Sequence, residues 1–182
     1  MAKHIALLRG INLAGKNRLP MKDLTQMFED AGCTDVRTYI QSGNVVFSAS
    51  AKLAARMSEV IPSAILKKFH ISVPVIVRSA DEFKAVVKGN PFLKAGEDLN
   101  SLHVAFLSST PLPAHVAALD PNRSPGDRYV VRGADIYLCC PNGVGQTKLT
   151  NAYFDSKLKT ISSGRNWRTV TTLLEMSTEV PS

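Results

Sequence analysis

Two five-residue runs, His4-Ile5-Ala6-Leu7-Leu8 and His103-Val104-Ala105-Phe106-Leu107, match in residue character position by position. Each is a short apolar run after a histidine, which reads as a buried β-strand. The stretches downstream of the two runs agree as well. Tyr39 stands four residues before Gly43 and Phe47 four after it, while Tyr129 and Tyr137 stand in the same way around Gly133. In each case a glycine able to take positive φ separates two runs of strand-forming residues, the pattern of a hairpin. A chain that repeats a strand and a hairpin in this order is expected to build one unit twice, and the matches point to an ancient duplication.

The remaining periodicities complete the order of elements. Pro20 suits a first helical position, Met21, Leu24, Met27, Phe28 and Ala31 recur at helical spacing, and Gly32 supplies the stop. Val36 to Ile40 and Val45 to Phe47 form the first hairpin around Ser42-Gly43-Asn44. Leu53, Met57, Val60, Ile61, Ala64 and Ile65 mark one face of a second helix, which Pro62 should kink or divide because it lacks a backbone donor. Val73 to Val77 returns to strand. This βαββαβ series is the split βαβ, or ferredoxin-like, arrangement.

Ser79 and Glu82 form a capping box that opens a linker helix, ended by Asn90-Pro91. Leu102 to Leu107, Pro113 to Leu119, and Arg128 to Val131 with Ile136 to Cys140 then repeat strand, helix and hairpin. Thr150 to Leu158 and Asn166 to Met176 read as helices. The expected fold class is therefore α+β, two ferredoxin-like units packed together, the second with its last strand replaced by C-terminal helices. Residues 1–79 form the first unit and residues 80–182 the second.

The three cysteines, Cys33, Cys139 and Cys140, are too few for a disulfide framework and lack metal-knuckle spacing, so they read as buried structural thiols in a reducing compartment. The N-terminal apolar run is too short for a signal segment, and no stretch reaches membrane-spanning length; a cytoplasmic protein with no membrane partner is expected. Of the net charge of +7, residues 1–79 carry most, with 11 Lys/Arg against 5 Asp/Glu. Such asymmetry favours an anionic partner.

The polar loops carry the chemistry. Gly10-Ile11-Asn12-Leu13-Ala14-Gly15-Lys16-Asn17 comes after a strand and within one residue of a P-loop, but Asn17 stands where a Ser/Thr hydroxyl would bind Mg²⁺, and Pro20 delays the helix. What remains is a loop with Arg9, Asn12, Lys16 and Arg18 able to face an anion. Gln41 and Asn44 add amides at the first hairpin, more than the turn requires. Asn142-Gly143-Val144-Gly145-Gln146-Thr147-Lys148-Leu149-Thr150 repeats the chemistry before another helix, with Thr147 or Thr150 as its cap. Lys148, and Arg165 and Arg168 about the next helix start, oppose the helix dipole, a penalty that an anionic ligand or a salt bridge would reverse. The four histidines fit no catalytic pattern, no metal-ligand spacing occurs, and the first sheet lacks the aromatics with which an RNA-recognition motif stacks bases. No cofactor is implied.

Ala6-Leu7-Leu8-Arg9-Gly10-Ile11-Asn12, Gly15-Lys16-Asn17, Thr38-Tyr39-Ile40-Gln41-Ser42-Gly43-Asn44-Val45, Lys148-Leu149-Thr150 and Arg165-Asn166-Trp167-Arg168-Thr169 together resemble the bacterial domain of unknown function 1697 family. The resemblance spans nearly the whole chain and implies an α+β fold of two ferredoxin-like units, without an established activity. Thr147 stands where similar sequences carry Ser, and the Cys139-Cys140 pair lies outside the pattern, which weighs against thiol chemistry. The leading expectation is a binding module for a phosphate-bearing ligand, whether a nucleotide, a phosphorylated small molecule or a nucleic-acid backbone, through Arg9, Asn12, Lys16, Arg18, Gln41, Asn44, Lys148, Arg165 and Arg168. The alternatives are an enzyme acting on a small anionic metabolite between the units, and a protein interaction module.

Overall fold

The computed structural model describes residues 1–180. In chain order the elements are β1 (Ala2–Leu8), α1 (Met21–Asp30), β2 (Thr34–Tyr39), β3 (Asn44–Ala49), α2 (Ala51–Phe69), β4 (Val75–Ser79), α3 (Ala80–Lys88), α4 (Pro91–Lys94), β5 (Leu102–Leu107), α5 (Pro113–Ala117), β6 (Arg128–Arg132), β7 (Asp135–Cys139), α6 (Asn151–Leu158), β8 (Ser162–Asn166) and α7 (Trp167–Thr178). They form an α+β protein with two four-stranded antiparallel sheets, ordered β2-β3-β1-β4 and β6-β7-β5-β8. The chain separates into two compact units, one of Met1–Ala85 with the segment from Thr172 onward, the other of Val86–Thr171.

In the first unit β1 lies between β3 and β4, pairing Ile5 with Val46 on one side and with Arg78 on the other. Ala6 and Leu8 face a core with Leu24 and Phe28 of α1 and Met57, Ile61 and Ile65 of α2. Ile5 and Leu7 point to the other side of the pleat and are buried as well. Ser79 and Glu82 form the expected reciprocal cap, the Glu82 carboxylate accepting from the Ser79 N–H at 2.6 Å and Ser79 Oγ from the Glu82 N–H at 3.1 Å.

Pro62 does not divide the second helix. A single 19-residue α2 runs through it, with Ala54, Met57, Ile61 and Ile65 buried along one face. The burial of that face outweighs the loss of one backbone hydrogen bond, which costs little where the freed carbonyl is within reach of water.

In the second unit β5 takes the place that β1 has in the first, between β7 and β8. Its core joins Ala105 and Leu107 to Ile136 and Leu138 of β7 and to Phe154 and Leu158 of α6. The expectation that this unit lacks a last strand does not hold. Ser162–Asn166 is β8, paired antiparallel with β5 from Leu107↔Ser162 to His103↔Asn166. Small and polar residues can complete this edge because β5 supplies the hydrogen-bonding partner and the burial, so the segment needs little strand propensity of its own.

Gly43 fixes the first hairpin. It sits at φ +87°, and a Cβ there would stand 2.5 Å from Leu8 Cβ and 3.0 Å from Ile11 Cδ1. The close approach lets the Leu8 N–H donate to Gly43 O at 2.8 Å, tying the hairpin to the end of the central strand. Gly43→Ala is expected to lower the unfolding free energy by about 2–4 kcal/mol, combining left-handed strain with overpacking. Urea denaturation followed by far-UV circular dichroism measures it; a loss below about 0.5 kcal/mol would show that the hairpin moves at no cost.

Candidate functional site

In the first unit the loop after β1 is organised by its own amides. Asn12 takes a positive φ of 52°, its Nδ2 donates to Gln41 O at 2.7 Å and to Leu19 O at 3.0 Å, and its Oδ1 accepts from the Leu19 N–H at 2.8 Å. Asn17 Nδ2 donates to Gly10 O at 2.9 Å. Leu13 to Lys16 closes a tight turn, with Lys16 N–H donating to Leu13 O, and Ala14 and Gly15 both at positive φ. Two of the expected ligand residues, Asn12 and Gln41, are thus brought together, but the side chain of Asn12 clamps the two loops to each other. Asn44 is fully buried and its Nδ2 donates to Tyr39 O and Ser42 Oγ. Lys16, Arg18 and the Gln41 side chain are exposed, and Arg9 is half-buried with its N–H on Pro74 O.

The second unit contains a pocket of about 340 Å³. His103 of β5, Asn166 of β8 and Thr150 and Asn151 at the start of α6 give it polar groups; Ala105, Leu138, Leu149 and Phe154 give it an apolar floor. The same apolar residues belong to the buried core of this unit, which closes the pocket from below.

Two helices begin at this pocket. Thr150 caps α6, its Oγ1 accepting from the Tyr153 N–H at 3.2 Å, and Asn166 caps α7, its Oδ1 accepting from the Thr169 N–H at 2.8 Å. Each cap satisfies one orphan N–H of its first turn and leaves others pointing along the axis, where the partial positive charge of the helix lies. The cap fixes Asn166 with its amide nitrogen as a donor. Beside it the Ser162 hydroxyl donates to Asp155 Oδ1 at 2.7 Å, with the Asn151 side chain 3.2 Å from the same hydroxyl. None of the described residues that line the pocket is acidic.

His103 pairs with Asn166 across the β5–β8 ladder. Its Nδ1 faces the Ser101 carbonyl at 3.3 Å, and a carbonyl only accepts, so the neutral ring carries its proton on Nδ1 and presents Nε2 as an acceptor. Burial holds the His103 pKa below its usual value, and the Ser101 carbonyl opposes that shift only in part. Cys140 also lines the pocket, its thiol pushed up to about 11 by burial. Cys33 and Cys139 are buried as well and are raised for the same reason. A protonated buried thiol is a poor nucleophile.

The expected basic residues of the second unit divide. Lys148 lies between two lining residues, Thr147 and Leu149, with its N–H on Ser124 Oγ and its side chain exposed. Arg168 is exposed in the first turn of α7. Arg165 alternates with Gly164 and Asn166 along β8 and so projects from the opposite face of the sheet. It is 9 % exposed, its Nη1 donates to Ser163 Oγ and Gly164 O, and burial brings its pKa down to about 10. His103, Asn151, Asn166 and Gly164 are not among the residues expected from the sequence. His103 is a lone histidine in an apolar strand, and only the ladder to β8 shows what stands beside it.

Residues 1–137 match the family described as "Protein of unknown function (DUF1697)", and the chain belongs to that family. The chain is also similar in structure to the conserved bacterial protein SP0830 from Streptococcus pneumoniae, at a TM-score of 0.71 and 23% sequence identity, with 97% of this chain and 98% of that one covered. At that identity the likeness concerns the fold. No curated protein matches the chain.

The Asn12 clamp predicts a structural phenotype. Asn12→Ala removes three hydrogen bonds at once and leaves Leu19 and Gln41 backbone groups to find water, so stability should fall by about 1–3 kcal/mol. Thermal unfolding of the variant, with hydrogen exchange at the Leu19 amide, checks this; an unchanged melting temperature and unchanged Leu19 protection would contradict the clamp.

Proposed function

We propose that the second unit binds a small phosphate-bearing molecule in the pocket between β5, β8 and the start of α6. One observation carries the reading: the capping residues of two helices, Thr150 of α6 and Asn166 of α7, line the same pocket. Helix N-termini favour negative charge through their unpaired N–H groups and their dipole, and two directed at one volume reinforce each other. The absence of a carboxylate from the described lining residues supports the same sign of ligand charge. Lys148, exposed between the lining residues Thr147 and Leu149, adds positive charge, as does Arg168, exposed in the first turn of α7. Each unit is read as ferredoxin-like on its element and sheet order, which makes the pocket a feature of the helix-covered side of the second sheet.

His103 gives the binding a pH dependence whose sign comes from its state. The free ring is held neutral by burial, so its pKa lies below the usual histidine value. An anion beside it stabilises the imidazolium and raises that pKa. Between the two pKa values the complex binds more protons than the free protein, so affinity rises as pH falls through that window and levels off below it.

Titration calorimetry with inorganic phosphate, and with sulfate for the pH series because sulfate keeps its charge, tests the reading. Asn166→Asp is the decisive variant. Asp caps a helix as well as Asn does, so the fold should be retained, while a carboxylate replaces the amide donor at the site. Phosphate affinity should fall by about tenfold or more, with melting temperature unchanged, and sulfate should bind the natural chain more tightly at pH 6 than at pH 8. Failure of the natural chain to bind either anion, or equal affinity in Asn166→Asp, would overturn the proposal.

A further inference from the structure

We infer that the first unit docks an acidic protein segment, with large apolar side chains among its Asp and Glu, on the tip formed by the loop after β1 and the turn of the first hairpin. This surface belongs to a different unit from the phosphate pocket, and neither depends on the other.

The tip is ordered by its own hydrogen bonds. Residues 12–17 form a small hairpin, in which the Asn12 N–H donates to Asn17 O at 3.0 Å and the Lys16 N–H to Leu13 O at 2.8 Å. Ala14 and Gly15 make its turn, both at positive φ, the backbone of a two-residue connection that ordinarily carries Asn-Gly. The bond from Asn12 Nδ2 to Gln41 O then ties this hairpin to the residue after Ile40. A surface ordered in advance loses little conformational freedom when a partner binds.

The apolar residues of the tip stand where the fold has no use for them. Leu13 is 58% exposed and Ile40 53% exposed, and they neighbour Asn12 and Gln41, the two residues that the bond joins. Ile40 also takes a φ of 47°. A β-branched residue is strained in this left-handed region, which Gly and Asn enter readily. Exposure and backbone geometry thus both disfavour isoleucine at this position, and a contact outside the chain supplies the reason that the fold does not.

Charge selects the partner. Residues 9–20 and 39–44 include Arg9, Lys16 and Arg18 but no Asp or Glu, and Lys16 and Arg18 are exposed. Cations around aliphatic side chains complement carboxylates around apolar ones; the charges steer the encounter and the apolar contact holds it. Single-stranded nucleic acid is a poorer match, because its bases stack on aromatic rings, and the exposed apolar groups here are Leu and Ile. An anionic membrane is a poorer match for a related reason, since the aromatic residues typical of the membrane interface are absent from the exposed positions of the tip.

Selection of short random peptides displayed on phage, with the natural chain as the immobilised target, tests the inference when the enriched peptides are then titrated by fluorescence polarisation. They should carry several Asp or Glu beside a large apolar residue. Their affinity should fall by about tenfold or more in Leu13→Ser, in Ile40→Asn, and in the paired change Lys16→Gln with Arg18→Gln. Ile40→Asn should have an equal or higher melting temperature, because Asn accepts the left-handed backbone, so that its loss of binding is separate from any loss of fold. Lys52→Gln with Arg56→Gln removes the same charge from exposed positions of α2 and should leave affinity within about twofold. Enriched peptides without acidic residues, unchanged affinity in Ile40→Asn, or an equal loss in the α2 variant would overturn the inference. Failure of any peptide to enrich, with single-stranded DNA or phosphatidylglycerol vesicles held through Lys16 and Arg18 instead, would overturn it as well.

Discussion

The central strand of each sheet is anchored at its end by the same pair of backbone hydrogen bonds, and the rest of each unit depends on them. In the first unit the Leu8 N–H donates to Gly43 O and the Arg9 N–H to Pro74 O; in the second the Leu107 N–H donates to Ala134 O and the Ser108 N–H to Ile161 O. One bond of each pair holds the neighbouring hairpin and the other holds the approach to the opposite strand. With both in place the register of three strands is set, and a register slip would turn the buried side chains of β1 or β5 to the wrong face. In the second unit this register is what puts Asn166 opposite His103 and Gly164 opposite Ala105. The chemistry of the pocket is thus a consequence of how the strand end is tied.

The two units share this frame and differ in what they place upon it. In the first, the loop after the central strand is long, cationic and locked by Asn12 to the neighbouring hairpin. In the second, the same point of the chain is Ser108-Ser109, whose hydroxyls meet Thr160 Oγ1 at 2.9 Å, and the open volume lies instead on the helix-covered side of the sheet. The glycines of the two places differ in their surroundings. Gly43 is there because the fold admits nothing larger, whereas a Cβ at Gly164 would make only an ordinary contact, 3.6 Å from Asn151 Oδ1.

Much of the fold is legible in the sequence because apolar periodicity reports burial directly. The run His4 to Leu8, its counterpart His103 to Leu107 and the face Leu53-Met57-Ile61-Ile65 are legible for that reason. β8 is not, since Ser162-Ser163-Gly164-Arg165-Asn166 shows no alternation of apolar and polar residues; it is a strand by virtue of its partner β5. The same lack of pattern hides the site, because His103 gains meaning only once Asn166 stands beside it. The amides behave differently. Asn12 and Asn44 stand out in the sequence as unusual, and their geometry shows them binding their own backbone, a role that local residue type cannot separate from ligand contact. Lys148 and Arg168 are exposed near helix starts, where the sequence puts them, whereas strand alternation sends Arg165 to the other face of the sheet.

The central claim is that the anion site belongs to the second unit, at the starts of α6 and α7, and not to the glycine-bracketed loop of the first. An amide-resolved NMR titration of the ¹⁵N-labelled chain with inorganic phosphate decides between them. The largest shifts are expected on the Asn151, Ala152, Trp167 and Arg168 amides, with the His103 ring protons moving in step. Shifts concentrated on Gly10 to Arg18 and Gln41 to Asn44, with those four amides unmoved, would contradict it.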